Sequence, residues 1–174
     1  MREAFARVAY SHKTQEKEAE RKGSQATQIR VWNVAVFGTA AITTVVAPLL
    51  ESVIAAWVAA IATIIGFVFT ALQLSFDPAD EAASHRLAAK SYLTVRNDYM
   101  RFIADVSAAS SVTTRARARR ESLAEQVRLL DSLAPQTSPQ AYAAARHALR
   151  TNEELTFDEA ELSQLLPGQR PPIT

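Results

Sequence analysis

The chain has 174 residues, 48% of them hydrophobic and 21% charged, with a formal net charge of +1. It contains no cysteine, which excludes disulfides, thiolate metal sites and a cysteine nucleophile. So balanced a charge gives no reason to expect nucleic acid as a partner, because such binding rests on many Lys and Arg contacts to phosphate.

Residues 1–30 read as a polar cytoplasmic helix from Arg2 to Arg30, with Glu18 and Lys22 at the i,i+4 spacing of an ion pair. Gly23 and Ser24 are its weak point and invite a bend. Beyond Arg30 the composition changes abruptly: Glu51 is the single charged residue before Asp77. Residues 31–50, VWNVAVFGTAAITTVVAPLL, would span about 30 Å as a helix, the thickness of a bilayer core. Residues 52–76 would reach about 37 Å, an excess that tilting absorbs. Two neighbouring helices that are apolar all round need cover on every side, and the amphipathic flanks of so short a chain cannot supply it. The pattern therefore predicts a transmembrane hairpin over 31–76. Charged residues ahead of the first run, and a second run directly after it, do not fit a cleaved signal peptide.

The hairpin turn falls at 48–52, where Pro48 ends the first helix and Glu51 meets water at the interface. Arg21, Lys22 and Arg30 precede the hairpin, Arg86 and Lys90 follow it, and the turn has no basic residue. By the positive-inside rule both termini are cytoplasmic.

Along 52–76, Ser52, Ala56, Ala59, Thr63, Gly66, Thr70 and Gln73 recur at spacings of four and three, forming one stripe of small or weakly polar residues. Val53, Ile54, Trp57, Ile61, Ile64, Ile65, Val68 and Phe69 occupy the opposite surface. Small residues let helices approach closely in lipid, so the stripe faces protein. It either packs against the first span or a neighbouring subunit, or lines a pore built by several hairpins. Asn33, Thr39, Thr43 and Thr44 are the polar members of the first span. With no ionisable residue at bilayer depth, neither a proton relay nor a charged filter is expected.

Residues 77–166 read as a cytoplasmic helical region. Asp77 and Pro78 have the character of an N-cap and first helical position, with Asp80 and Glu81 at the positive end of the helix dipole. DPADE is too short a ligand series for a calcium loop, and no metal or cofactor is expected. This helix carries Leu87, Tyr92, Tyr99, Phe102, Ile103 and Val106 to about Ala108, where SAASSVTT reads as a turn. A second amphipathic helix is expected over 114–133, and a short Ala-rich one over 140–150 after a break at Pro135 to Pro139. Their apolar faces imply a helical bundle within or between subunits.

Arg115, Arg117, Arg119 and Arg120 form the most basic patch, either a solvated face or a contact for a partner, an anionic lipid or a nucleotide. A straight helix of about thirty residues would hold it about 45 Å from the bilayer, far beyond a Debye length of about 8 Å. The acidic segment with Glu153, Glu154, Asp158, Glu159 and Glu161 could meet it instead. Residues 167–174, PGQRPPIT, read as an irregular tail.

Catalytic patterns are missing. His12, His85 and His147 are far apart in sequence, and there is no HExxH, glycine-rich phosphate loop or nucleophile elbow, so no enzyme is expected.

The polar N-terminal helix with YSHK, the close hairpin and the long helix opening DEAASHRLAAKSYLTVRNDYMRF together resemble the SLATT family. These are two-transmembrane effector domains associated with bacterial nucleotide-second-messenger defence systems. The resemblance covers nearly the whole chain and includes a His-then-Tyr pattern, here His85 and Tyr92, read as structural contacts near the membrane exit. It implies an inner-membrane effector of antiviral defence that forms a pore or disrupts the bilayer when a sensor or nucleotide-signalling partner activates it. The expected fold is all-α: a two-span hairpin with long cytoplasmic helices, assembled as an oligomeric bundle. The alternative function is a non-catalytic membrane anchor or scaffold that presents a helical interaction module.

Overall fold

The computed structural model describes residues 1–46, 53–75, 77–108 and 114–151. Among them the fold is all-helical: α1 (Arg2–Val46), α2 (Val53–Ser75), α3 (Pro78–Ala108), α4 (Thr114–Leu133) and α5 (Pro139–Arg150). The expected turn around Pro48 and Glu51, the acidic segment 153–161 and the tail 167–174 lie outside the described residues.

Helix ends fall where local chemistry puts them. The Asp77 carboxylate accepts from the Ala79 amide at 2.8 Å, and Pro78 follows as the first helical residue, where a missing N–H costs nothing. Ser138 caps α5 in the same way, its hydroxyl accepting from the Ala141 amide at 3.2 Å ahead of Pro139. His147 and Arg150 occupy the last turn of α5, the negative end of its dipole. Helix α1 continues through Gly23 and Ser24 in unbroken α-helical assignment over 45 residues.

The chain divides into two compact units, one of Met1–Lys17 with Ala89–Thr174 and one of Glu18–Ala88. In the first, the core is Val8 of α1, Tyr92, Val95, Tyr99 and Phe102 of α3, and Leu123 of α4. The α3 positions recur at spacings of three and four, which puts them on one helical face. Helix α5 turns Ala141, Ala145 and Ala148 inward, and small side chains on that stripe permit close helix packing.

The polar start of α1 is not a solvated surface. His12, Lys13, Thr14 and Gln15 are consecutive and all buried. Since successive residues point about 100° apart, burial of four in a row means the helix is enclosed on every side. Each buried polar group is matched. His12 Nδ1 lies 2.9 Å from the Ala89 carbonyl of α3, an oxygen that can only accept, so this nitrogen carries the proton. Lys13 reaches Glu16 at 2.7 Å, the Thr14 hydroxyl donates to the Tyr10 carbonyl, and Gln15 Nε2 donates to the Pro135 carbonyl at 2.9 Å. Helices α3 and α4 are further joined by the Tyr92 hydroxyl, which donates to Asp131 at 2.7 Å. Burial and the neighbouring Asp131 carboxylate push the Tyr92 phenol well above its usual range, so it stays a donor.

Two substitutions weigh packing against hydrogen bonding in this unit. Leu123 is fully buried, and Leu123→Ala is expected to cost about 2–5 kcal/mol. Tyr92→Phe leaves Asp131, which is exposed and can turn to water, and is expected to cost only about 1 kcal/mol. Chemical denaturation followed by circular dichroism in detergent micelles ranks the two, and a larger loss for Tyr92→Phe would contradict the packing account.

Candidate functional site

In the unit Glu18–Ala88, the apolar stretches of α1 and α2 lie against each other with most of their large side chains uncovered. Trp32, Val34, Ile42 and Val45 on α1, and Ile54, Trp57, Ile64 and Phe67 on α2, are each between 63% and 77% exposed. So many large apolar side chains exposed on two adjacent helices depart from the single, scattered ones of soluble monomers. By length and composition, α1 is the one helix among the described residues long and apolar enough to cross a membrane, and its most apolar window has a mean hydropathy of 1.5. Within α2 the described side chains include a shorter apolar stretch, Ala56–Ala71.

The small-residue stripe divides in two. Ala59 and Gly66 are buried, whereas Ala56 and Thr63 are exposed and Thr70 is half-buried. A Cβ built on Gly66 would stand 3.2 Å from the Phe37 ring and 3.5 Å from a Val36 methyl. The missing side chain is therefore what lets α2 approach α1 here. Ala40 is buried on the α1 side. Ser52 and the side chain of Gln73 lie outside the described residues.

The hydroxyls of the stripe and of the first span are bonded within their own helices. Thr63 donates to the Ala59 carbonyl at 2.8 Å and Thr70 to the Gly66 carbonyl at 2.9 Å. In α1, Thr39, Thr43 and Thr44 donate to the carbonyls of Ala35, Thr39 and Ala40. This i−4 bonding hides a hydroxyl in an apolar solvent without any partner on another helix.

Charge resumes in the polar part of the same unit, as one pair between α1 and α3 and one within α1. Lys22 binds Glu81, and Arg21 donates from Nε to Glu18 at 3.1 Å. The Lys22 to Glu81 bridge differs from the Glu18 to Lys22 pairing expected along the helix, because α3 supplies an acid across the gap. Gly23 makes room for a cation, with the Arg86 guanidinium 3.1 Å from where a Cβ would stand. His85 is buried at 4% exposure among these groups. Burial lowers its pKa from the usual 6.5; Lys22 and Arg21 act in the same sense, while Glu18 and Glu81 oppose them. Sequence spacing within a helix could not have found this cluster, since its members come from two helices.

Arg115, Arg117, Arg119 and Arg120 lie exposed on α4 in the other unit. Arg119 stands 3.5 Å from the Asp98 carboxylate of α3, a rim pair with little energy of its own. Of the His-then-Tyr pair, His85 falls in the unit Glu18–Ala88 and Tyr92 in the other. Among the described residues no group of three or more His, Asp or Glu side chains is arranged to hold a metal ion.

The His85 cluster makes stability pH-dependent. With its folded pKa below the unfolded 6.5, the unfolded chain takes up the proton first as pH falls. The neutral ring's contribution is complete above that value and is lost as pH drops through the folded pKa. Thermal unfolding in micelles between about pH 5.5 and 7.5 should thus show the wild type gaining stability with pH more steeply than His85→Gln. Equal slopes would remove His85 as the source.

No curated protein and no solved structure matches the chain. One family model does, over residues 1–161, nearly the whole length. Its description, a two-transmembrane effector domain, accords with an all-helical chain whose apolar helix surfaces lack protein cover. The chain belongs to the SMODS and SLOG-associating 2TM effector domain family 4 of the SLATT group.

Proposed function

We propose that the chain is a non-catalytic membrane effector of bacterial defence. The segments 31–50 and 52–76 cross the inner membrane as a hairpin with both termini cytoplasmic. Residues 1–30 and 77–166 form the cytoplasmic part, and 167–174 trail from it. Several copies assemble, and a nucleotide-signalling or sensor partner shifts the assembly to a form that conducts or disrupts the bilayer. Such a shift requires the partner to bind one state better than the other.

The observation that carries this reading is the uncovered apolar surface of α1 and α2. It is joined by the absence of Lys and Arg between Arg30 and Arg86 and by the family's association with SMODS and SLOG systems. The small-residue stripe supports assembly along its exposed members, Ala56 and Thr63. The competing reading is an anchor in which the hairpin only localises the helical module. What favours it is that Ala59 and Gly66 are taken up by contact within the chain, and that the threonine hydroxyls need no aqueous path.

Flux from dye- or ion-loaded liposomes, measured with the native partner present, separates the two. The effector reading expects release by the wild type and about tenfold less from Thr63→Leu, with thermal stability unchanged. Gly66→Leu, which drives a bulky chain into Phe37, should lower stability by about 1–3 kcal/mol as well as flux. No release by the wild type with its partner, despite complete flotation with the vesicles, would leave the anchor.

A further inference from the structure

The unit of Met1–Lys17 and Ala89–Thr174 contains a cleft of about 410 Å³, inside the range of about 300–1,000 Å³ typical of small-molecule sites. Tyr10 of α1 and Tyr142 of α5 stand on its walls, their ring centroids 6.3 Å apart and their planes inclined by 31°. Arg7 and Thr137 also line it, and Gln15 and Tyr92 form buried parts of the lining. The buried groups are held in place: Gln15 donates to the Pro135 carbonyl, and the Tyr92 hydroxyl is fixed by Asp131.

The charged side chain in the lining itself is basic, and Asp131 stands behind Tyr92, engaged by its hydroxyl. Among the described residues no carboxylate lines it, Arg7 does, and Arg150 brings a second guanidinium to the rim by donating to the Tyr10 hydroxyl at 3.2 Å. Aromatic faces beside guanidinium groups match a planar ring joined to an anion. Tyrosine faces stack on nucleobases without regard to sequence, and a guanidinium matches phosphate with two parallel N–H donors.

We propose that this cleft binds a nucleoside phosphate. The base lies against Tyr10 and Tyr142, the phosphate meets Arg7 and Arg150, and the Thr137 hydroxyl is available to the sugar. The site is independent of whether the hairpin conducts, because binding is read without flux.

The test is equilibrium dialysis of the full chain in detergent micelles with AMP, GMP, CMP and UMP, and with adenosine and ribose 5-phosphate as the two halves. At least one monophosphate should bind saturably, and about tenfold more tightly than either half. Tyr142 and Arg7 are exposed, so Tyr142→Ala and Arg7→Gln should each weaken binding about tenfold or more while the melting temperature stays put, and Tyr142→Phe should retain it. No saturable binding of any of the four would overturn the proposal. So would binding that survives both substitutions, or ribose 5-phosphate bound as tightly as the nucleotide.

Discussion

The structure depends on a mismatch of solvents. Helix α1 starts in a stretch where even polar side chains are enclosed by protein and ends in one where Trp32, Val34, Ile42 and Val45 have no protein cover. A helix tolerates both settings because it satisfies its own backbone donors and acceptors, which is the condition for existing in hydrocarbon. The threonines extend that self-sufficiency to side chains by bonding to carbonyls one turn back. With the polar groups settled locally, a small residue of α2 can receive larger apolar side chains of α1. The contact of Gly66 with Phe37 and Val36 is the result.

Where the apolar stretch ends, charge is used in pairs, one within α1 and one between α1 and α3. Glu18 is 1% exposed, and a carboxylate taken that far from water persists only with a cation beside it, here Arg21. Lys22 and Glu81 link α1 to α3. His85 sits among these four groups, and burial decides its state in favour of the neutral ring. A proton added there would have to be accommodated among existing ion pairs in a place with little water. A proton on His85 therefore bears on the contact of α1 with α3.

Helix limits were legible because they are written in local chemistry. Asp77 with Pro78 marks a helix start that neighbouring residues determine, and the break expected from Pro135 to Pro139 separates α4 from α5, while most of the SAASSVTT segment lies outside the described residues. The helical face of α3 through Tyr92, Tyr99, Phe102 and Val106 was legible for the same reason, as a spacing. What could not be read was any relation between distant segments. Residues 12–15 were legible only as part of a polar helix, and their burial arises from elements more than seventy positions away, such as Ala89 and Pro135. Lys22 had a good partner one turn away in Glu18 and took Glu81 instead. The division of the chain joins Met1–Lys17 to residues beyond Ala88, a grouping that no linear reading of composition reveals. The Tyr10 and Tyr142 walls of the cleft were missed likewise, since their separation in sequence hides that they share a site.

The stripe on α2 was ambiguous in sequence because all seven residues share one broad face, yet a face has a centre and an edge. Taking Ala59 as the centre and about 100° per residue, Gly66 lies about 20° to one side, while Thr70, Thr63 and Ala56 lie about 20°, 40° and 60° to the other. Exposure follows that order: Ala59 and Gly66 are buried, Thr70 is half-buried, and Thr63 and Ala56 are open. The seam with α1 is thus displaced toward Gly66, leaving a strip of small residues along one flank of α2. A second hairpin docking on that flank would meet Thr63 and Ala56 without disturbing the contact at Gly66. Under the proposed assembly, packing within the chain and contact between chains would use different halves of one stripe, so that each could be altered without the other.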